Sequence, residues 1–198
     1  MTDTFYTIKS VSEGSYKEKG SKFLAFAYPV KNLDEVKQIL EQKRKEFYDA
    51  RHICYAYMLG AERTDFRAND DGEPSSTAGK PILGQINAAN LTDVLVIVVR
   101  YFGGILLGTG GLTVAYKTAA AEAIAHAEIV CKQVTKTLRI SFTYEQTNLA
   151  MRLIKELQVD IAERNFDAQL THLTLTPVQN RYRQALDTFK KNGIFCAE

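Results

Sequence analysis

Disulfide bonds have little to build on here. The chain has three cysteines in 198 residues. The number is odd and no C-x-x-C pair is present, which excludes a disulfide framework and reads as reduced thiols at Cys54, Cys131 and Cys196. No apolar run approaches the roughly 18 residues a bilayer crossing takes, and the opening MTDTFYTIKS lacks the apolar core of a secretion signal. A cytoplasmic protein without a membrane partner is expected. Charge of one sign is also lacking: the net charge is +2 at pH 7, so nucleic-acid binding would need a local patch rather than a global field. There is no internal repeat and no low-complexity tract. Gly103-x-x-x-x-Gly108 is followed by Thr109, which excludes a Walker A loop. Gly108-x-Gly110-x-x-Thr113 misses the third glycine of the dinucleotide fingerprint. No G-x-S-x-G nucleophile elbow occurs.

What is present is an alternation of strand and helix signals. SKFLAFAYPV (21–30) reads as a strand, and Asn32 as the N-cap of a helix, with Glu35 completing a capping box. RHICYAYMLG (51–60) alternates as a strand with two usable faces. The stretch 61–79 reads as a long polar loop, and KPILGQINAANL (80–91) as a short helix. DVLVIVVRYF (93–102) is the clearest strand; its continuous β-branched run predicts cover on both faces. A helix is expected over 112–128 and an inter-domain link over 131–137. Beyond it the order is β-α-β-β-α-(β), the split-βαβ or ferredoxin-like arrangement. The chain therefore reads as α+β with two domains, 1–134 and 135–198.

Two segments carry candidate chemistry. In VVRYFGGILLGTGGLTVAYKTAAAEAI (98–124) a strand, a glycine-rich turn and a helix follow one another. Helix N-termini carry unpaired N–H groups and a partial positive charge, and glycines let an anion approach them. An anion or nucleic-acid site is expected from Arg100, Gly103, Gly104, Gly108, Gly110, Gly111 and Lys117, with Lys80 nearby and Tyr101 or Phe102 to stack a base. The alternative is that the glycines only permit tight strand–helix packing.

The second segment is NDDGEPSSTAGK (69–80). It crowds Asp70, Asp71 and Glu73 within four positions and adds the hydroxyls of Ser75, Ser76 and Thr77. Crowded carboxylates call for a cation, for cationic side chains such as Arg51 or Arg100, or for acid–base work. A Mg²⁺ ion is one reading, although the spacing of an EF-hand is absent. Ordering of the loop through protein cations, or docking of a partner, are the others. His52 is a further candidate, two residues from Cys54 but without a second ligand pair for zinc. Lys22 closes the short basic loop KEKGSK (17–22). His126 and His172 read as helix-surface and strand residues.

KGSKF (19–23), ARHICYAY (50–57), DDGEPSSTAGKPIL (70–83) and VVRYFGGILLGTGGLTVAYKTAA (98–120), in this order, resemble the IMPACT family and its bacterial YigZ-type members. The resemblance implies a first domain like the second domain of ribosomal protein S5 and a ferredoxin-like second domain similar to domain V of elongation factor G. Eukaryotic members regulate translation through protein partners. The expectation that follows is a non-catalytic, translation-associated regulator without a cofactor. It would bind RNA, the ribosome or another phosphate-bearing ligand through the glycine-rich turn. A protein-interaction regulator, or an enzyme acting on a phosphorylated small molecule, are the alternatives. Ser76 stands where family members usually carry glycine.

Overall fold

The computed structural model describes residues 3–197. Contacts divide the chain into two units, Phe5–Lys132 and a second made of Gln133 onward, with Asp3 and Thr4 grouped into the latter.

The first unit runs β1 (Thr4–Ile8), β2 (Ser12–Glu18), β3 (Ser21–Pro29), α1 (Leu33–Glu46), β4 (His52–Leu59), β5 (Asp65–Asn69), α2 (Gly79–Ala88), β6 (Val94–Tyr101), α3 (Gly108–Ala125) and β7 (Ile129–Gln133). Five strands form one antiparallel sheet in the order β2-β3-β6-β4-β5, and β1 pairs with β7 separately. β6 is central and every residue from Val94 to Arg100 is buried. One face, with Leu95, Ile97 and Val99, packs on α1. The other, with Val94, Val96 and Val98, packs on α2 and α3. Strand alternation puts Arg100 on this second face, opposite His52 on one side and Phe23 on the other.

Local chemistry explains the helix ends. Asn32 Oδ1 accepts from the amides of Asp34 and Glu35 at 3.1 and 2.9 Å, as an N-cap should. Glu35 reaches back to the Lys31 amide (2.8 Å) rather than to that of Asn32. α3 begins at Gly108 and not near Leu112, so Gly108, Gly110 and Gly111 lie in its first turns. The loop expected over 61–79 contains β5, a short edge strand that is largely exposed. β7 occupies part of the expected link.

The second unit runs β8 (Leu138–Thr143), α4 (Thr147–Glu156), β9 (Asp160–Phe166), β10 (Leu170–Thr176), α5 (Tyr182–Lys191) and β11 (Phe195–Ala197). Its sheet has the order β11-β8-β10-β9. Ile140, Phe142, Leu173 and Leu175 on one face meet Leu153, Ile154, Leu186 and Phe189 of the helices.

On this sheet Ser141, His172 and Asp167 stand in line, with Ser141 Oγ to His172 Nδ1 and His172 Nε2 to Asp167 Oδ2 both at 2.8 Å. Ser141 lies in mid-strand, flanked by partners on β10 and β11. The ladder thus uses the local amides, and the line braces a hairpin instead of forming a nucleophile with an oxyanion hole. The His172 hydrogen bond, followed by the amides of Gln169 and Leu170, holds the Asp167 carboxyl at about 2. A depressed carboxyl stabilises the fold above its unfolded pKa, roughly 3.9, and that contribution disappears as pH falls through about 2. A carboxyl-shift titration by NMR should find the Asp167 midpoint near 2, and His172→Ala should move it upward.

Candidate functional site

The acidic loop is held from within. Asp70 Oδ1 accepts from the amides of Ala78 (3.0 Å) and Gly79 (2.8 Å), and Oδ2 from Ser76 (2.9 Å). Ala78 is the N-cap of α2 and has no side-chain cap of its own, so Asp70 caps the helix from eight residues away. Burial works against the charge of Asp70. The amides of Ser76, Gly79 and Ala78 outweigh it and hold the carboxyl below its ordinary value. Asp71 Oδ2 takes the Ile53 amide at 2.7 Å and Oδ1 the Arg44 guanidinium at 2.8 Å, which docks the loop on β4 and α1.

Glu73 is turned inward. Its Oε1 receives Arg100 Nη1 at 2.6 Å and the Tyr116 hydroxyl at 2.8 Å. His52 Nε2 stands 3.9 Å from the same oxygen. His52 Nδ1 lies 2.8 Å from the Asp71 carbonyl, which can only accept, so Nδ1 carries a proton, and Nε2 makes no hydrogen bond among the described residues. The Cys54 thiol lies under this group, 3.3 Å from the Tyr116 hydroxyl. Burial pushes the Cys54 thiol and the Tyr116 phenol far up, so neither ionises near neutral pH. Thr77 is buried, with its hydroxyl on the Pro74 carbonyl at 2.7 Å, while Ser75 is exposed. Among the described residues no group of His, Cys, Asp and Glu is placed to hold a metal ion.

This arrangement corrects the expected role of Arg100. The residue is 6% exposed and committed to Glu73, with its guanidinium 5.6 Å from the rings of both Phe23 and Phe102. The hydrophobic run that made β6 the central strand also drew Arg100 indoors, where a charge requires a partner. Tyr101 points to the opposite, α1 face and donates to Asp49 at 2.9 Å. Lys80 and Lys117 are exposed and line no part of the cleft described below; Lys22 lies beside a separate hollow with Lys17 and Glu13.

The glycines divide by role. A side chain on Gly103 would collide with the backbone of Gly20, so that glycine serves packing between the β2–β3 turn and the end of β6. Gly104 and Gly108 have φ of +87 and +71 and open surroundings. Gly110 has neither a positive φ nor any neighbour within 4 Å. Gly111 would meet only Leu107.

A cleft of about 350 Å³ opens over these elements. Its floor is His52, Glu73 and Arg100, and its walls include Phe102, Leu106 and Leu112. At the rim stand Arg51, Gly108 and Thr109. The N-cap of α3, Leu107, supplies no side-chain acceptor. The first-turn amides of Gly108, Thr109 and Gly110 have no acceptor inside the helix and no bond elsewhere among the described residues. Arg51 is exposed and forms no ion pair or side-chain hydrogen bond there. The cation of this site is therefore Arg51, which sequence reasoning had treated only as a partner for carboxylates. Tyr116 was missed. Its signal was the inward stripe Leu112, Ala115, Tyr116, Ala119 of α3, since a buried phenol needs a partner.

Ser76 has φ +66. Glycine is at ease in that left-handed conformation and serine is not. The peptide amide, not the side chain, makes the bond to Asp70. Ser76→Gly should accordingly raise stability by about 0.5–1 kcal/mol in urea unfolding, with the cleft unchanged.

The chain is thus a two-unit α+β protein whose first unit carries a small cleft between an acidic loop and a helix N-terminus. The family described as the Impact N-terminal domain matches residues 19–124. The IMPACT family member YvyE of Bacillus subtilis is 31% identical over 166 residues, 84% of this chain and 76% of that protein. YigZ of Escherichia coli is 43% identical over 100 residues, 50% of this chain and 49% of YigZ. A solved structure described as a hypothetical protein superposes with a TM-score of 0.78 at 26% identity, covering 99% of this chain and 97% of that one. The chain belongs to the IMPACT family, and among its bacterial members it is similar to YigZ.

No helix among the described residues is long and apolar enough to cross a membrane.

Proposed function

We propose that this protein is a non-catalytic, translation-associated regulator of the cytoplasm that binds RNA or the ribosome by holding a phosphate at the rim of the cleft. Membership of the IMPACT family supports the translational half of this reading. The binding half rests on one observation: two residues with uncapped amides at the start of α3, Gly108 and Thr109, line the cleft together with Arg51, a cation with no partner among the described residues. Such amides and a guanidinium are complementary to an oxyanion. We read the first unit as S5 domain 2-like and the second as ferredoxin-like. The strand order β11-β8-β10-β9, with one helix after β8 and one after β10, supports the latter.

Structured RNA or ribosomes should bind at low salt, with affinity falling steeply as salt rises. Arg51→Ala should reduce the slope of log affinity against log salt by about one. Thr109→Glu, which sets a carboxylate in the first turn of α3, should favour the helix yet repel the ligand. Absence of binding to either probe at low salt sinks the proposal. Leu106, at the cleft wall, is 82% exposed, and its chain neighbour Ile105 is 56% exposed. An apolar surface of this kind favours a protein partner as the second reading, visible as a capture that survives nuclease.

A further inference from the structure

The floor of the cleft holds more than a phosphate site needs. Glu73 and Arg100 have side chains only 3 and 7% exposed, and each makes its bonds through one terminal atom, Oε1 and Nη1. Glu73 Oε2 and Arg100 Nη2 bond to nothing among the described residues, and neither is among the fully enclosed unpaired atoms. Both residues line the cleft. His52 Nε2 is likewise unbonded, and its side chain is 14% exposed. The ion pair on the cleft floor therefore keeps one acceptor atom and one donor atom without a partner among the described residues.

An inorganic anion at the rim would use neither the Glu73 acceptor nor the apolar walls. The cleft asks for a flat, apolar body with a donor and an acceptor side by side on one edge, joined to an anion. Nucleobases have that edge. Phe102 adds an aromatic surface, 42% exposed, at the wall. The volume of about 350 Å³ lies at the small end of the range for small-molecule sites, roughly 300–1,000 Å³. It suits a single base with its sugar rather than a stacked pair.

We propose that the cleft captures one unstacked nucleotide of an RNA strand, its base edge on Glu73 Oε2 and Arg100 Nη2 and its phosphate on Arg51 and the amides of Gly108 and Thr109. This rests on the phosphate-binding reading above and gives it a substrate class. Glu73 accepts from a base amine or imino group, and Arg100 donates to the adjoining ring nitrogen or carbonyl. The apolar walls hold the ring out of water.

The test is an NMR titration of the full chain with adenosine, guanosine, cytidine and uridine 5′-monophosphates, with ribose 5-phosphate and with inorganic phosphate. The nucleotides should bind at least tenfold more tightly than ribose 5-phosphate, with shifts centred on Ile53, Glu73, Phe102 and Thr109. Phe102→Ala, a change at an exposed ring, should weaken the nucleotides about tenfold and leave ribose 5-phosphate unchanged. Glu73→Gln must keep its oxygen on Arg100 and Tyr116, so its NH₂ faces the cleft and opposes the base amine. Nucleotides should then bind no better than ribose 5-phosphate. Equal binding of nucleotides and ribose 5-phosphate to the unaltered protein overturns the base pocket and leaves phosphate capture standing. RNA binding with shifts only away from the cleft overturns the site. No binding by any of these probes or by RNA, or capture of a protein partner alone, overturns the parent reading as well.

Discussion

Arg100→Ala should cost this protein about 3–5 kcal/mol, the loss typical when one partner of a buried ion pair is removed. Glu73 would be left with its charge facing the Tyr116 hydroxyl and the His52 ring but no committed cation, in a floor where its side chain is 3% exposed. The double variant Arg100→Met with Glu73→Gln should lose clearly less than the sum of the single changes, because no unpaired charge remains. Urea unfolding of the unaltered protein, Arg100→Met, Glu73→Gln and the double variant closes the cycle. A loss below about 1 kcal/mol, the range of exposed pairs, would put Arg100 back at the surface and restore it as a direct phosphate ligand. The experiment separates a guanidinium that holds Glu73 from one free to take a phosphate.

That difference was partly legible. The run from Val94 to Val99 announced a strand covered on both faces. The same alternation that places Val94, Val96 and Val98 on the α2/α3 face carries Arg100 there as well. An arginine on the parity of a core face is a buried arginine, and DDGEPSS was the nearest supply of carboxylates. Which carboxylate would turn inward could not be read from clustering, since Asp70, Asp71 and Glu73 go to amides, to α1 and β4, and to Arg100 respectively. β5 is hard to read because Asp65–Asn69 is a five-residue edge strand whose alternating residues, Phe66 and Ala68, are too few to stand out from a polar stretch. β2, SEGSYKE, is hidden by the same polarity. The start of α3 was misplaced because GTGG has poor helix propensity. Packing of the stripe from Leu112 onward against the sheet overrides that local preference. Arg51 joins the cleft through long-range pairing of β4 with β6, which no local pattern announces.

Asp70→Ala should cost about 2–4 kcal/mol, since three amides lose a charged acceptor and α2 loses its only cap. Asp70→Asn should fall between the two. Its amide oxygen can still serve Ala78 and Gly79, whereas its NH₂ would face the Ser76 N–H, donor against donor. The pH dependence follows from the depressed carboxyl of Asp70. The unfolded chain binds the proton more readily, so stability rises with pH across the window below roughly 3.9. The contribution is complete above that value and is lost as pH falls through the lower, folded one. Both variants should therefore unfold in acid along a flatter limb than the unaltered protein, measured by circular dichroism at fixed urea. An unchanged limb in Asp70→Ala would mean that other groups order the loop. The effect reaches the cleft by a short route. The Glu73 amide bonds to the Asp70 carbonyl at 2.9 Å, so a loop released at Asp70 no longer presents Glu73 to Arg100. Asp70→Ala should weaken nucleotide binding together with stability, whereas Ser76→Gly, which relieves the same loop of a left-handed serine, should raise stability and leave binding intact.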